Sequence, residues 1–194
     1  MGINYSQVAG NGKSNMNRLF RLVWTFALAL AVLLPAATAQ AKIPDGWPFL
    51  EFNEAVKVAK QTGKPMFVYF GFDTCPYCLY LNEHALASES LRKLYTANYV
   101  LAYFDVRGDR GDAITMHDGQ TMTRAEVLKS LKVATVPTWM FVSAEGRGVL
   151  MRSGSRTRVN EFWKYDLYVA GGGYRQGSFE EFLVKRGLRE ERPE

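Results

Sequence analysis

Apolar positions recur along the chain at two spacings, and the switches between them mark out its elements. Over Glu51–Thr62, Phe52, Ala55, Val56 and Ala59 repeat at helical spacing, and Gly63 supplies the stop. Met66–Phe70 is a continuous apolar, aromatic-rich run of strand length, the pattern of a strand covered on both faces. After Gly71-Phe72-Asp73-Thr74, Cys75-Pro76-Tyr77-Cys78 opens a helical stretch to about Ala87. Pro76 stands just inside that start, where a missing N–H costs nothing. Ser88 or Ser90 caps a further helical turn through Tyr95, and Tyr99–Val106 reads as a second buried strand. Arg107–Met122 is polar and rich in Gly and Asp, which predicts a surface loop or small hairpin. Thr123 with Glu126 fits a capping box before a helix ending near Leu131. Thr138–Ser143 and Gly148–Arg152 form a hairpin pattern, and Thr157–Ala170 and Ser178–Arg186 are closing helices. Gly171-Gly172-Gly173 between those helices reads as a flexible break. Strands alternating with helices and closing on a hairpin predict an α/β fold, a mixed central sheet with helices on both faces.

Composition bounds this picture without altering it. The 194 residues are 47% hydrophobic and 22% charged, which suits one globular domain. The net charge of +5 would suggest nucleic acid, but Lys13, Arg18 and Arg21 fall in the first 39 residues, which hold no acid. Of 24 basic residues, 21 then remain against 19 acidic, with no dense basic stripe, so no nucleic-acid partner is expected. Arg18 and Arg21 precede an apolar run, Leu22–Leu34, which is followed by Pro35 and Ala37-Thr38-Ala39. This is the three-part layout of a secretory signal peptide, over residues 1–39, with Met16 as an alternative start. The run is 13 residues, short of the ~20 that span a bilayer. The expectation is a mature domain over 40–194, exported to the periplasm in a Gram-negative cell, with an uncleaved membrane anchor as the alternative.

The two cysteines of the chain stand three positions apart. A disulfide closing so short a loop removes little unfolded-chain entropy, so the pair is better explained as chemistry than as scaffolding. Reversible exchange needs one thiol held as a thiolate and a second close enough to resolve the mixed disulfide. At a helix start the first sulfur meets unpaired N–H groups and the positive dipole end, which lowers its pKa below the free ~8.5. Cys75 is therefore the expected nucleophile, exposed, and Cys78 the resolving, less exposed thiol. A structural zinc site would need His84 and His117 as well, at poor spacing, so no metal is expected. Leu79 follows Cys78 where covalent haem attachment requires His. His84 reads as solvated or packed, Tyr77 as exposed and shaping partner contact, and Phe162, Trp163, Tyr165 and Tyr168 as packing residues.

With these pieces in place the chain resembles the thioredoxin superfamily. The resemblance rests on Phe67-Val68-Tyr69-Phe70 before Cys75-Pro76-Tyr77-Cys78, and on Thr135-Val136-Pro137-Thr138 some sixty residues later, and it covers about residues 49 to 155. It implies a thioredoxin-like three-layer sandwich with a C-terminal helical extension and a cis Val136–Pro137 bond. By the same resemblance, Val136, Pro137, Pro76 and Tyr77 contact substrate. The layout of the tail is similar to exported thioredoxins linked to sulfur oxidation (the SoxW-like group). Thr74 stands where the family carries Trp, Pro76-Tyr77 replaces Gly-Pro, and Tyr69 occupies the position of the family's buried Asp, so another base, or water, must deprotonate Cys78. The function implied is that of a periplasmic thiol–disulfide oxidoreductase, acting most simply as a reductase of protein disulfides. It would be a monomer fed by a membrane electron donor of disulfide-reductase type, with no cofactor. A Cu(I)-handling chaperone and a glutaredoxin-like, glutathione-dependent reductase are the alternatives; the Pro-Tyr dipeptide favours the latter, export disfavours it.

Overall fold

The fold follows from where each strand sends its two sets of side chains, because successive residues of a strand face opposite ways. A computed structural model describes residues 43–191 of the chain. Its main sheet comprises β1 (Leu50–Glu51), β2 (Met66–Gly71), β3 (Val100–Asp105), β6 (Thr138–Val142) and β7 (Gly148–Ser153). A separate hairpin pairs β4 (Ala113–Thr115) with β5 (Thr121–Thr123). The main sheet has the order β1-β3-β2-β6-β7, with β1, β3 and β2 parallel and β6 and β7 antiparallel. The predicted mixed sheet is therefore present, with one unpredicted member. β1 pairs Leu50 and Glu51 with Ala102 and Tyr103, and a two-residue strand leaves no periodicity to read.

Each face of the sheet carries its own core. Met66, Val68 and Phe70 of β2 join Val100, Ala102 and Phe104 of β3 against α1 (Phe52–Thr62), which buries Phe52, Ala55, Val56 and Ala59. That is the set the helical spacing predicted, and Gly63 ends the helix in the left-handed conformation at φ 65°. The opposite side chains, Phe67, Tyr69, Leu101, Tyr103, Trp139 and Phe141, face α2 (Pro76–Leu81), α3 (Glu89–Asn98), α5 (Val159–Val169) and α6 (Phe179–Lys185). Trp47 and Phe49 enter the same core, and the Trp47 indole N–H donates to the Leu86 carbonyl at 2.7 Å. Helices on both sides of a sheet make the three-layer sandwich.

Local chemistry sets most boundaries where the sequence predicts them. Ser88 caps α3, and capping boxes Thr123–Glu126 and Ser178–Glu181 open α4 (Arg124–Ser130) and α6. The polar excursion is an ordered hairpin. Asn53 of α1 donates to the Ala113 carbonyl and accepts from the Thr115 N–H, while the Arg124 guanidinium bonds the Asp105 and Asp109 carbonyls and Asp112.

Two expectations need correction. The helix after Cys75 does not run regularly to Ala87: from Asn82 to Leu86 it widens into a π turn. Nor is the triple glycine a flexible break. It forms a packed turn leading into a single 3-10 turn, Gly173–Arg175. A Cβ on Gly173 would lie 2.7 Å from the Phe182 ring and 3.1 Å from Tyr168, so glycine is there because neighbouring rings occupy the space.

Candidate functional site

Strand register brings the predicted site residues to one end of the sheet. Gly71 is opposite Asp105, and Phe70 is opposite Thr138, so the chain leaves β2 toward Cys75 where β3 ends and where Pro137 leads into β6. The connecting loop is tied down along its length. The Gly71 carbonyl accepts from the Val106 N–H at 3.0 Å, the Phe72 carbonyl from the Cys75 N–H at 3.2 Å, and Asp73 from the Thr74 N–H at 2.8 Å. The Arg107 guanidinium lies 3.5 Å above the Phe72 ring and donates to the Thr74 hydroxyl. This cation next to the cysteine loop went unpredicted, because its neighbours are set by register rather than by sequence spacing.

Cys75 is the N-cap of α2: its backbone is extended, Pro76 follows inside the helix, and its Sγ accepts from the Cys78 N–H at 3.1 Å. The two cysteines form a disulfide, with Cα atoms 5.2 Å apart. The expected contrast in exposure is absent, since Cys75 is 1% and Cys78 3% exposed. Disulfide-bonded, Cys75 belongs to the aromatic core that also holds Tyr69 and Tyr103. Exposure is carried instead by Pro76 and by Tyr77, which is 67% exposed. Tyr80, one turn on from Tyr77, stacks on His84 at 3.9 Å, and His84 Nδ1 donates to the Tyr80 carbonyl. Both rings are exposed.

The Val136–Pro137 peptide bond is cis; Pro137 is buried, Val136 half-buried, and the Pro137 carbonyl accepts from the Gly154 N–H at 3.2 Å. His117 packs beside Gly146 in the β6–β7 turn. Among the described residues, no group of three or more His, Cys, Asp and Glu side chains is arranged to hold a metal ion.

Beneath the disulfide lie two tyrosines. Tyr69 and Tyr103 stack at 6.0 Å, and the Tyr69 hydroxyl donates to Asn82 Oδ1 at 3.2 Å. Burial above all, and then each ring's charged or phenolic neighbours, drives both phenol pKa values far up, so both stay neutral. Gly71 runs between them and the sulfurs. A Cβ there would meet Tyr69 Cε1 at 3.0 Å, Cys78 Sγ at 3.4 Å and the Tyr103 hydroxyl at 3.6 Å.

This geometry has relatives. Residues 52–170 match the family described as the Thioredoxin-like domain. The chain belongs to that family. A thioredoxin from Thermus thermophilus is 25% identical with a TM-score of 0.50, over 64% of this chain and 91% of that one. A thioredoxin-fold protein from Helicobacter pylori has a TM-score of 0.54 at 17% identity, over 64% and 80% of the two chains. An uncharacterized protein of Archaeoglobus fulgidus is 25% identical over 95 residues, 49% of this chain and 72% of its own. In a thioredoxin-like domain, a cysteine pair closed into a disulfide at a helix start is the apparatus of two-electron disulfide exchange. The activity is that of a thiol–disulfide oxidoreductase.

Proposed function

We propose that the protein reduces disulfides of exported proteins, with Cys75 as the attacking thiolate and Cys78 as the resolving thiol. The observation that carries this is the bond from the Cys78 N–H to Cys75 Sγ at the start of α2. The same N–H favours the sulfur as a thiolate once the disulfide opens, and an amide hydrogen bond to a charged acceptor is among the stronger ones. The exposed Tyr77 and Pro76 beside the disulfide, with Val136 and Pro137 at the same end of the sheet, support a surface that receives an extended client segment around its cysteine. Attack by Cys75 on a client disulfide releases one client thiolate. Attack by Cys78 on Cys75 Sγ then releases the other and restores the Cys75–Cys78 disulfide.

The leader read in residues 1–39, with its alternative start at Met16, supports a periplasmic site of action and a membrane-bound dithiol donor. It lies outside the described residues. Among those, no helix is long and apolar enough to cross a membrane. The client is a protein disulfide.

The deciding experiment equilibrates the mature protein against a glutathione redox series and quantifies the Cys75–Cys78 disulfide. A potential near or below about −220 mV is expected for a reductase, while one near −120 mV would make it an oxidant. Failure to form the disulfide at any poise would remove the proposal.

A further inference from the structure

The family's buried acid is replaced by Tyr69, which leaves open what takes the Cys78 proton. The hydroxyl of Tyr69 is turned away, donating to Asn82, and only its ring edge borders the space over Gly71. The other walls of that space are Cys78 Sγ and the Tyr103 hydroxyl, 3.4 and 3.6 Å from the position a Cβ would take. Any side chain at position 71 would fill it. Tyr103 is 8% exposed, at the rim of the core, and Asp105 lies two residues on along β3, on the same face.

We propose that the Tyr103 hydroxyl, acting across the gap over Gly71, relays the proton between Cys78 and the carboxylates and water at this end of the sheet. This rests on the thiol–disulfide exchange proposed above. In the resolving step the Cys78 thiol proton passes to the Tyr103 oxygen as the Tyr103 O–H proton leaves to Asp105, Asp73 or water. The Cys78 thiolate bonds to Cys75 Sγ, the bond from Cys75 to the client sulfur breaks, and the client leaves as a thiolate holding the electron pair. Re-reduction by a donor dithiol runs the relay backwards.

The surroundings fit a relay rather than a terminal base. Burial, followed by the Asp105 and Asp73 carboxylates, holds the phenol protonated, so it passes a proton on without storing charge. Other ionisable groups around it have separate roles. Glu51, its register partner on β1, caps α1 by accepting from the Asn53 N–H, and Arg107 is engaged over Phe72 and with Thr74. On α2 and its π turn, Tyr77, Tyr80, Glu83 and His84 are exposed.

The test uses the reduced mature protein and an aromatic disulfide reagent that releases a coloured thiolate at each step. The first phase reports attack by Cys75 and the second resolution by Cys78. In Tyr103→Phe, which removes one oxygen, the second phase at about pH 6 should slow by roughly a hundredfold, the low end of what positioned proton transfer contributes. It should rejoin the wild type above about pH 8.5, where a thiol ionises unaided, with the first phase unchanged throughout. Gly71→Ala, which fills the gap, should slow the same phase. Equal pH profiles for wild type and both variants, or equal slowing of both phases, would overturn the relay. A wild type that never shows a second phase would instead overturn the exchange reading itself.

Discussion

At the scale of single residues, the site depends on what faces each sulfur. Cys75 and Cys78 were legible because an N-terminal helix position and a three-residue spacing are both local features. Tyr103 was not, because only the parallel pairing of Tyr69 with Tyr103 carries it under the disulfide. The burial of Cys75 was equally invisible, since covering a sulfur is a property of the packed core rather than of the motif. Arg107 presents its charge to the cysteine loop through Thr74 and Phe72. A cation beside a thiolate stabilises it, so Arg107→Ala is expected to raise the apparent pKa of Cys75 in the reduced protein. The pH dependence of alkylation reads this directly. A shift of about half a unit fits an exposed charge in water, and a shift of zero or downward would remove Arg107 from the site.

At the scale of elements, caps and periodicity were the readable part. Phe52, Ala55, Val56 and Ala59 and the Thr123–Glu126 capping box follow from spacings within one turn or two, and the structure adds a second box of the same spacing, Ser178–Glu181. The Thr123 backbone and hydroxyl bonds hold the Glu126 carboxyl below its ordinary range. Their contribution is present at neutral pH and is lost as pH falls through that lowered value. Ser178→Ala removes one half of the second box and should lower stability by about 1 kcal/mol, seen as a shifted denaturant midpoint at unchanged slope. The π turn and the packed glycines escaped because long-range neighbours set them. Leu86 O receives the Trp47 indole N–H, 39 residues away, and Gly173 faces Phe182 and Tyr168. Gly173→Ala forces those rings to move and should cost roughly 1–3 kcal/mol. A neutral result would restore the flexible-break reading.

At the scale of the whole molecule, the C-terminal extension is held to the sandwich by charge as well as by rings. Arg152 of β7 bonds Glu180 and Glu190, and Lys164 bonds the almost wholly buried Glu161 at 2.6 Å and also reaches the Arg189 carbonyl. Lys164→Met leaves Glu161 buried without its cation, with only the Glu191 N–H donating to it, and should cost about 3–5 kcal/mol in thermal or denaturant unfolding. The mixed sheet with helices on both faces was readable from the order of strands and helices, while this tail clamp depends on residues up to 38 positions apart. All of it supports one device, a cysteine pair held at one end of the sheet, for whose two sulfurs we propose unequal roles. The most direct measurement of that asymmetry is trapping in cells, with full-length Cys78→Ser and Cys75→Ser compared on non-reducing gels. Cys78→Ser should accumulate mixed disulfides through Cys75 with exported cysteine-containing proteins, and Cys75→Ser should accumulate few or none. Equal trapping by both, or trapping through Cys78 alone, would contradict the account.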